Sequence, residues 1–296
     1  MEIRLSPQEN NPFTETVFVI LCAGKGTRLR HLTKDKPKPL INLKQVGKIP
    51  ILQYTLKNLL KLNPKNIIII TGYLGTQIEQ FIQQFKNIHQ NAKNKISIIN
   101  ASKRYELGPL YSFMTLVKCD QLFTKESNYC VLPGDTIFDF STLSSLQKSI
   151  AAHIKTNPHL PLILYRKITI NKLNREYPKE NKLQVRKLIS FIDIDQRSPK
   201  GSYLGKIQKK DIQNMDETAL IRQIIPLFYF PYDFIIKLQK AMPHSSASRL
   251  TGLINILIEE KNEIILAKKI PSTIKFYDID TKYDLQRVKM KKKRRQ

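Results

Sequence analysis

The chain has 296 residues, 41% of them hydrophobic and none of them Trp, so it is long enough to bury a full core in one α/β domain or in a domain with a sizeable appendage. Lys and Arg number 50 against 24 Asp and Glu, but the Lys residues are spread along the whole chain, which argues against a specific nucleic-acid surface. No apolar run reaches the roughly 18 residues of a membrane helix, and the N-terminal segment carries no signal-peptide core.

The cysteines indicate the compartment. Cys22, Cys119 and Cys130 are widely spaced and odd in number, which fits neither a disulfide framework nor a CxxC metal site. The sequence therefore predicts a cytoplasmic protein without a transmembrane segment, and a homo-oligomer remains open.

Short β-rich runs alternate with amphipathic helical stretches from Val17 onward, which is typical of βαβ units. We predict an α/β fold with a Rossmann-like, doubly wound and mostly parallel sheet. The strand candidates in this half are TVFVILC, NIIIITG, KISIIN, NYCVLPGD and LPLILYR. Apolar residues at helical spacing between them are expected to be core: Ile78, Phe81, Ile82 and Phe85, then Leu110, Phe113, Met114 and Val117.

The pattern becomes polar and charged after about residue 165, which predicts a small inserted lobe at about 166–222, and the family resemblance described below implies that this lobe is acceptor-binding. Strand-like IIPLFYF, a helix opening at Pro231 and a helix near Leu250 follow, and EIILAKKI and TIKFYDID are predicted to return to the main sheet. We therefore expect an N-terminal extension over 1–14, one domain over 15–288, and a solvated basic tail over 289–296.

The strongest motif is LCAGKGTRLRHLTKDKPKPLINL, residues 21–43, directly after the first strand. Gly24 and Gly26 remove side chains that would keep a triphosphate away from backbone N–H groups. Pro37 and Pro39 restrict the backbone around Lys38, so its ammonium extends from a stiff segment. Arg28 and Lys38 would then supply two cations to phosphate groups.

This motif resembles that of the sugar-phosphate nucleotidyltransferases, which is close to LxxGxGTRLxPLTxxxPKPLxxL, with His31 where a Pro is usual. The resemblance implies a GT-A-like fold and transfer of an NMP from a nucleoside triphosphate to a sugar-1-phosphate, giving an NDP-sugar and pyrophosphate, with Mg²⁺ as cofactor. It implies Arg28, Lys38 and Asp135 as catalytic residues. It also implies a nucleotide-binding set of Leu21, Ala23, Gly24, Lys25, Gly26, Thr27, Arg28, Gly72 and Gly108.

Asp135, Asp278 and Asp280 are the expected Mg²⁺ ligands. Asp135 follows a hydrophobic strand, at the edge where open α/β sheets bind ligands, and matches the metal-binding Asp of the family. FYDIDTKYDL resembles the closing motif of the family, and period-two alternation would put Asp278 and Asp280 on one strand face. Alternatively, Asp280 could act as the N-cap of the last helix. Clustered carboxylates should repel one another, so losing one should cost the unliganded fold little.

Lys206 and Lys209 lie in the predicted lobe, where the family often has a Lys for the acceptor phosphate, and solvated surface lysines are the alternative. The DID closing motif resembles the cytidylyltransferases for phosphocholine or inositol phosphate as much as the hexose enzymes, so a CTP-dependent enzyme acting on a phospho-alcohol is the second candidate. A non-catalytic nucleotidyltransferase-like regulatory subunit and a molybdenum-cofactor guanylyltransferase are the remaining alternatives.

Overall fold

The computed structural model describes residues 15–44, 47–176, 188–195, 202–212 and 215–288. The predicted N-terminal extension and basic tail lie outside these residues, as do parts of the predicted lobe. The strands are β1 (Thr16–Leu21), β2 (Asn42–Leu43), β3 (Ile49–Pro50), β4 (Asn66–Thr71), β5 (Ile96–Asn100), β6 (Asn128–Pro133), β7 (Thr136–Phe138), β8 (Leu162–Thr169), β9 (Leu188–Asp195), β10 (Tyr203–Asp211), β11 (Leu220–Pro231), β12 (Leu266–Ile270) and β13 (Phe276–Asp278).

Helices separate most of these strands, which confirms the predicted α/β class. They are α1 (Ile51–Leu60), α2 (Gly75–Ile88), α3 (Pro109–Phe113), α4 (Phe140–Thr156), α5 (Ile170–Glu176), α6 (Tyr232–Ala241), α7 (Leu250–Lys261) and α8 (Lys282–Arg287). Among the helices of the described residues, none is both long and apolar enough to cross a membrane.

The main sheet has the strand order β5-β4-β1-β6-β11-β8-β12-β10-β9. Strands β5, β4, β1 and β6 are parallel neighbours, as the alternating pattern predicts. In contrast, β11 is antiparallel to both β6 and β8, and β10 is antiparallel to β12 and β9. The expectation of a mostly parallel sheet therefore holds for the N-terminal half, and the sheet as a whole is mixed.

Helices cover the first half of the sheet on both faces, which explains why its strands are continuous apolar runs. In β1, Phe18 and Ile20 pack into the core beneath α1, α2 and α4. Val17 and Val19 point to the opposite face and pack into the core beneath α3, α6 and α7. One strand thus contributes to two cores, because successive side chains of a strand alternate between its faces.

Two predicted elements differ from the structure. TIKFYDID does not return to the main sheet, because β13 pairs antiparallel with β7 in a separate ribbon that brings Asp278 opposite Thr136. The helix predicted over Leu110 to Val117 ends earlier: α3 stops at Phe113 and a 3₁₀ turn follows over Leu116–Lys118. Leu110 and Phe113 are nevertheless buried in the core, because both lie within α3, three positions apart on one face of the helix.

A fully buried arginine supports the chain just before β13. Arg166, on β8, donates to Gln223 Oε1 at 2.8 Å and to the Ile274 carbonyl at 2.7 Å, and it pairs with Glu176 at the end of α5. Its guanidinium also lies 5.3 Å from the centre of the Phe276 ring. These contacts hold the approach to β13 against the main sheet, and β13 carries Asp278 into the candidate site.

Candidate active site

A cleft opens where the chain reverses its order in the sheet. From β1 the chain moves outward to β4 and β5 and then returns to place β6 on the other side of β1. The segments that follow β1 and β6 consequently diverge, and open α/β sheets bind ligands at such a point. The Gly134 N–H donates to the Leu21 carbonyl at 2.9 Å, so the two strand ends remain joined directly beneath the cleft.

The two glycines of the loop after β1 differ in backbone conformation and in the space around them. Gly26 has φ +64°, and a Cβ there would lie 3.1 Å from Thr33 Cγ2 and 3.2 Å from Lys38 Cβ. Thr33 donates its hydroxyl to the Gly26 carbonyl at 2.9 Å, which fixes this turn. A Cβ at Gly24 would meet no atom within 4 Å. Gly26 is therefore required by the fold of the loop, whereas Gly24 leaves open space above the backbone.

Lys38 is 7% exposed and begins a 3₁₀ turn directly after Pro37. Its ammonium donates to Asp135 and, at 3.2 Å, to Asp280 Oδ1. Arg28 donates to the other Asp280 oxygen, Oδ2, at 2.7 Å. Burial acts to lower the pKa of Lys38, but the two carboxylates outweigh it and the pKa is raised. Lys38 is thus held in its charged form at the floor of the cleft.

The three aspartates line the same cleft but do not form one set of ligands. Asp278 accepts a hydrogen bond from Thr136 Oγ1 at 2.6 Å, whereas Asp135 and Asp280 face Lys38. In the part of the chain that the structure describes, no group of three or more His, Cys, Asp and Glu side chains is arranged to hold a metal ion. β13 ends at Asp278 and Asp280 lies in the connection to α8, but both side chains line the cleft, as the predicted alternation requires.

The alternative prediction, that Asp280 is the N-cap of the last helix, is wrong. Thr281 caps α8, with its hydroxyl accepting from the Asp284 N–H while Asp284 accepts from the Thr281 N–H in return. This capping box leaves the Asp280 carboxylate oriented to the two cations. Asp135 and Asp280 together fit a Mg²⁺ ion, because oxygen donors from one or two carboxylates, completed by substrate phosphates, suit that ion.

The cleft has a volume of about 480 Å³. Its lining includes most of the predicted site residues: Leu21, Ala23, Gly24, Gly26, Thr27, Arg28, Lys38, Asp135, Asp278, Asp280 and Lys209. The sequence interpretation missed other lining residues: Cys22, Pro39, Tyr105, Pro109, Ser112, Pro133, Thr136 and Pro226. Thr136 directly follows Asp135 and could have been found from that motif, whereas no spacing in the sequence indicates Tyr105, Ser112 or Pro226.

Three predicted nucleotide-binding residues, Lys25, Gly72 and Gly108, are not among the residues that line the cleft. Lys25 pairs with Glu106 at 3.5 Å and sits 5.6 Å from the centre of the Tyr105 ring. A Cβ on Gly72 would lie 2.8 Å from Tyr105 Cδ1, so this glycine makes room for Tyr105 at the cleft wall. Gly108 has φ +121°, and a Cβ there would lie 2.5 Å from the Ser248 carbonyl oxygen. Close packing against Tyr105 and Ser248 therefore explains why glycine occupies positions 72 and 108.

The two predicted acceptor lysines have different surroundings. Lys209 lines the cleft, and desolvation lowers its pKa, with Arg249 and Arg28 lowering it further against the opposing effect of the aspartates. Lys206 is not among the lining residues, and its side chain is half exposed and pairs with Glu259 at 2.7 Å. Successive residues of β10 point to opposite faces, and the two lysines are an odd number of positions apart. They therefore cannot serve one ligand from the same strand face.

Comparisons with known proteins identify the family of this chain. Residues 17–177, more than half of the chain, match the protein-family model described as nucleotidyl transferase. UTP–glucose-1-phosphate uridylyltransferase AglF of Haloferax volcanii is 31% identical over 121 residues, which are 41% of this chain and 44% of that protein. Choline-phosphate cytidylyltransferase of Streptococcus pneumoniae is 39% identical over 67 residues, 23% of this chain and 28% of that protein. The chain thus spans less than half the length of each of these relatives.

Solved structures resemble the chain over nearly its whole length. A UDP-glucose pyrophosphorylase complexed with UDP-glucose gives a TM-score of 0.64 at 14% identity, covering 91% of this chain and 95% of that one. The inositol-1-phosphate CTP transferase from T. maritima gives 0.58 at 15% identity, covering 90% of each chain. At these identities the likeness concerns the fold alone.

Proposed function

This chain belongs to the nucleotidyl transferase family, and we propose that it transfers an NMP from a nucleoside triphosphate to a sugar-1-phosphate, giving an NDP-sugar and pyrophosphate. We also propose that the sheet around β1 has the GT-A-like, doubly wound arrangement. The relative from Haloferax volcanii is named as a UTP–glucose-1-phosphate uridylyltransferase, and an enzyme of that name catalyses a transfer of this kind.

One observation carries the proposal: the loop after β1 meets Lys38, Asp135 and Asp280 at the floor of a single cleft. A triphosphate needs close backbone approach, cations for its phosphates, and carboxylates for a hard metal ion. Gly24 provides the open backbone, and Arg28 and Lys38 provide the cations. The cleft combines these three requirements within a volume suited to a small ligand.

In the proposed reaction, a phosphate oxygen of the acceptor attacks the α-phosphorus in line. A new phosphorus–oxygen bond forms as the bond between the α-phosphorus and the bridging oxygen breaks, and that oxygen leaves with pyrophosphate. Such chemistry depends on positioning and charge neutralisation rather than on a covalent protein intermediate. Lys38 is rigidly held, and Arg28, with 64% of its side chain exposed, can turn from Asp280 to the leaving phosphates.

Asp135 and Asp280 are the residues that would hold Mg²⁺. The bound ion supplies the charge neutralisation that lets an anionic acceptor approach the triphosphate. Lys38 pairs with both carboxylates and Arg28 pairs with Asp280, and these contacts position the two aspartates in the cleft. Lys209, from the other half of the sheet, faces the cleft and is proposed to bind the acceptor phosphate.

A CTP-dependent transfer to a phospho-alcohol is the second candidate. One observation favours it: the match to a choline-phosphate cytidylyltransferase. The two candidates share the cleft and the mechanism and differ in the base and in the acceptor. The Lys209 cation suits the phosphate of either acceptor class.

The test is pyrophosphate release by the full chain with Mg²⁺. UTP, dTTP, CTP, GTP and ATP are each combined with glucose-1-phosphate, N-acetylglucosamine-1-phosphate, mannose-1-phosphate, phosphocholine and inositol-1-phosphate. Release with a sugar-1-phosphate supports the main proposal, whereas release with CTP and a phospho-alcohol alone selects the second candidate. Binding of NTPs without turnover on any acceptor would contradict both.

A further inference from the structure

The side-chain amide of Asn255, on α7, bonds to the backbone of β10. Its Nδ2 donates to the Ile207 carbonyl at 2.8 Å, and its Oδ1 accepts the Ile207 N–H at 2.8 Å. An amide that satisfies both backbone groups of one residue replaces the pairing that a neighbouring strand would provide. Lys209, which lines the cleft, lies two positions further along the same strand. Helix α7 is therefore joined directly to the strand that carries a cleft residue.

The bonded edge of β10 is the one that faces away from β9. Pairing with β9 runs along the whole strand, from Tyr203 to Asp211, whereas β12 pairs with β10 at Tyr203, opposite Leu266. Backbone groups of an antiparallel strand point alternately to its two edges, so residues two positions apart share an edge. The backbone groups of Lys209 thus point to the edge that Asn255 holds.

Helix α7 follows β10 toward the cleft. Glu259 pairs with Lys206 at 2.7 Å, and Asn255 bonds the strand one helical turn earlier. Desolvation lowers the pKa of Lys209, and the charge of Arg249, which directly precedes α7, lowers it further. The N-terminal end of α7 is thus the end nearer to the cleft lysine, and the Asn255 amide joins helix and strand between the two lysines.

The Lys209 ammonium differs from that of Lys38 in how it is held. Lys38 is fixed by ion pairs to Asp135 and Asp280, whereas no ion pair or hydrogen bond among the described residues holds the Lys209 side chain. The place of the Lys209 ammonium in the cleft therefore depends on the position of its own backbone. An error of about 1 Å in the placement of a binding group is costly to an enzyme.

We propose that Asn255 is a positioning residue for the acceptor: by fixing β10 at Ile207, it sets the place from which Lys209 reaches the acceptor phosphate. This inference rests on the proposed function, in which Lys209 binds that phosphate. Asn255 is not among the residues that line the cleft, so it acts through Lys209 and takes no part in the chemical step. Its loss should weaken acceptor binding and leave the nucleoside triphosphate unaffected.

The first experiment compares steady-state pyrophosphate release by wild type and Asn255→Leu, with the NTP and acceptor that react fastest in the panel given above. Leu is close to Asn in shape and removes both bonds to β10. We expect the KM for the acceptor to rise about 5- to 20-fold, while kcat and the KM for the NTP stay within about 2-fold. Glu259→Gln is the matched control from the same helix: it breaks a half-exposed ion pair to Lys206, so its acceptor KM should equal that of wild type.

A double-mutant cycle with Lys209→Met separates positioning from a purely structural role. Lys209→Met alone should raise the acceptor KM about 10- to 100-fold, because it removes the cation. Adding Asn255→Leu should raise this KM no further, since the group that Asn255 positions is already absent. A structural role would instead raise the KM of the double variant by the same factor as in the wild-type background.

Asn255→Leu should melt at a lower temperature than wild type, because two backbone groups lose their partner. If it does not fold, Asn255→Asp takes its place, since it keeps the acceptor for the Ile207 N–H and loses only the donor; a smaller rise in acceptor KM is then expected.

Three results would overturn the inference: a wild-type acceptor KM in the folded Asn255 variant, an equal rise in the KM for the NTP, or multiplicative effects in the double variant. An unchanged acceptor KM in Lys209→Met would also overturn it, by removing its premise. If wild type releases no pyrophosphate with any pair, the proposed function itself fails, which is a different outcome.

Discussion

Lys38 and Asp135 are 97 positions apart in the chain and form an ion pair at the floor of the cleft. Asp280, 242 positions from Lys38, accepts from the same ammonium group at 3.2 Å. One cation therefore holds together the loop after β1, the end of β6 and the connection after β13. This pairing fixes the positions of the two carboxylates and the cation relative to one another.

Replacing Lys38 with Met should affect both activity and stability. We expect turnover to fall roughly 10²-fold or more, because the variant lacks a cation for the phosphates. The free energy of unfolding should also fall by about 1–3 kcal/mol, because two partly buried carboxylates lose their shared partner. Arg28→Ala is the matched control, since its side chain is 64% exposed: a similar loss of pyrophosphate release should come with little change in urea unfolding. Equal stability losses in both variants would contradict this division.

Asp135→Asn should destabilise the unliganded protein, in contrast to the expectation from carboxylate repulsion alone. The structure places Lys38 between the aspartates, so removing the Asp135 charge leaves a buried ammonium with one carboxylate instead of two. We expect the melting temperature to fall and magnesium-dependent turnover to be nearly abolished. The double variant with Lys38→Met should lose less stability than the two single variants combined, as a double-mutant cycle would show. Additive losses would indicate that the ion pair contributes nothing.

Alanine substitutions in the loop after β1 should separate folding from ligand binding. Gly26→Ala forces a Cβ into a left-handed conformation beside Thr33 and Lys38, which should cost about 1–2 kcal/mol of stability. Gly24→Ala meets no protein atom, so its urea unfolding curve should match that of wild type. Its affinity for tripolyphosphate should nevertheless fall, because the methyl group occupies the space above the backbone. Normal tripolyphosphate binding by Gly24→Ala would remove this glycine from the proposed phosphate site.

His153 should make the stability depend on pH. It is 4% exposed on α4, lies edge-on to Tyr229, and its Nε2 is 2.7 Å from the Leu160 carbonyl oxygen. Burial lowers its pKa; the bond to Leu160 opposes this shift, and Lys268 adds to it. The unfolded chain therefore binds a proton more readily, so this contribution to stability is complete above the unfolded pKa of about 6.5 and is lost as the pH falls through the folded pKa.

The check is urea unfolding of wild type and His153→Gln at pH 7.5, 6.5 and 5.5. Gln keeps a donor for the Leu160 carbonyl but does not titrate, so the wild-type free energy of unfolding should decline more steeply with acidification. Parallel declines in the two proteins would show that His153 is not the group responsible.

The elements that could be predicted from the sequence are those whose signal is local. The apolar runs of β1, β4, β5 and β6 and the helical spacing of Ile78, Ile82 and Phe85 predicted parallel βαβ units, and those units are present. The loop after β1 could be recognised because its glycines and prolines act through the conformation of their own backbone.

How distant segments combine could be seen only in the folded protein. No spacing in the sequence reveals that β11 enters the sheet antiparallel beside β6 or that β13 pairs with β7. The role of Lys38 as a shared cation for Asp135 and Asp280 likewise became visible only after folding. The physical reason is that ion pairs and cleft walls depend on distances between side chains, which chain separations of 97 and 242 positions do not specify.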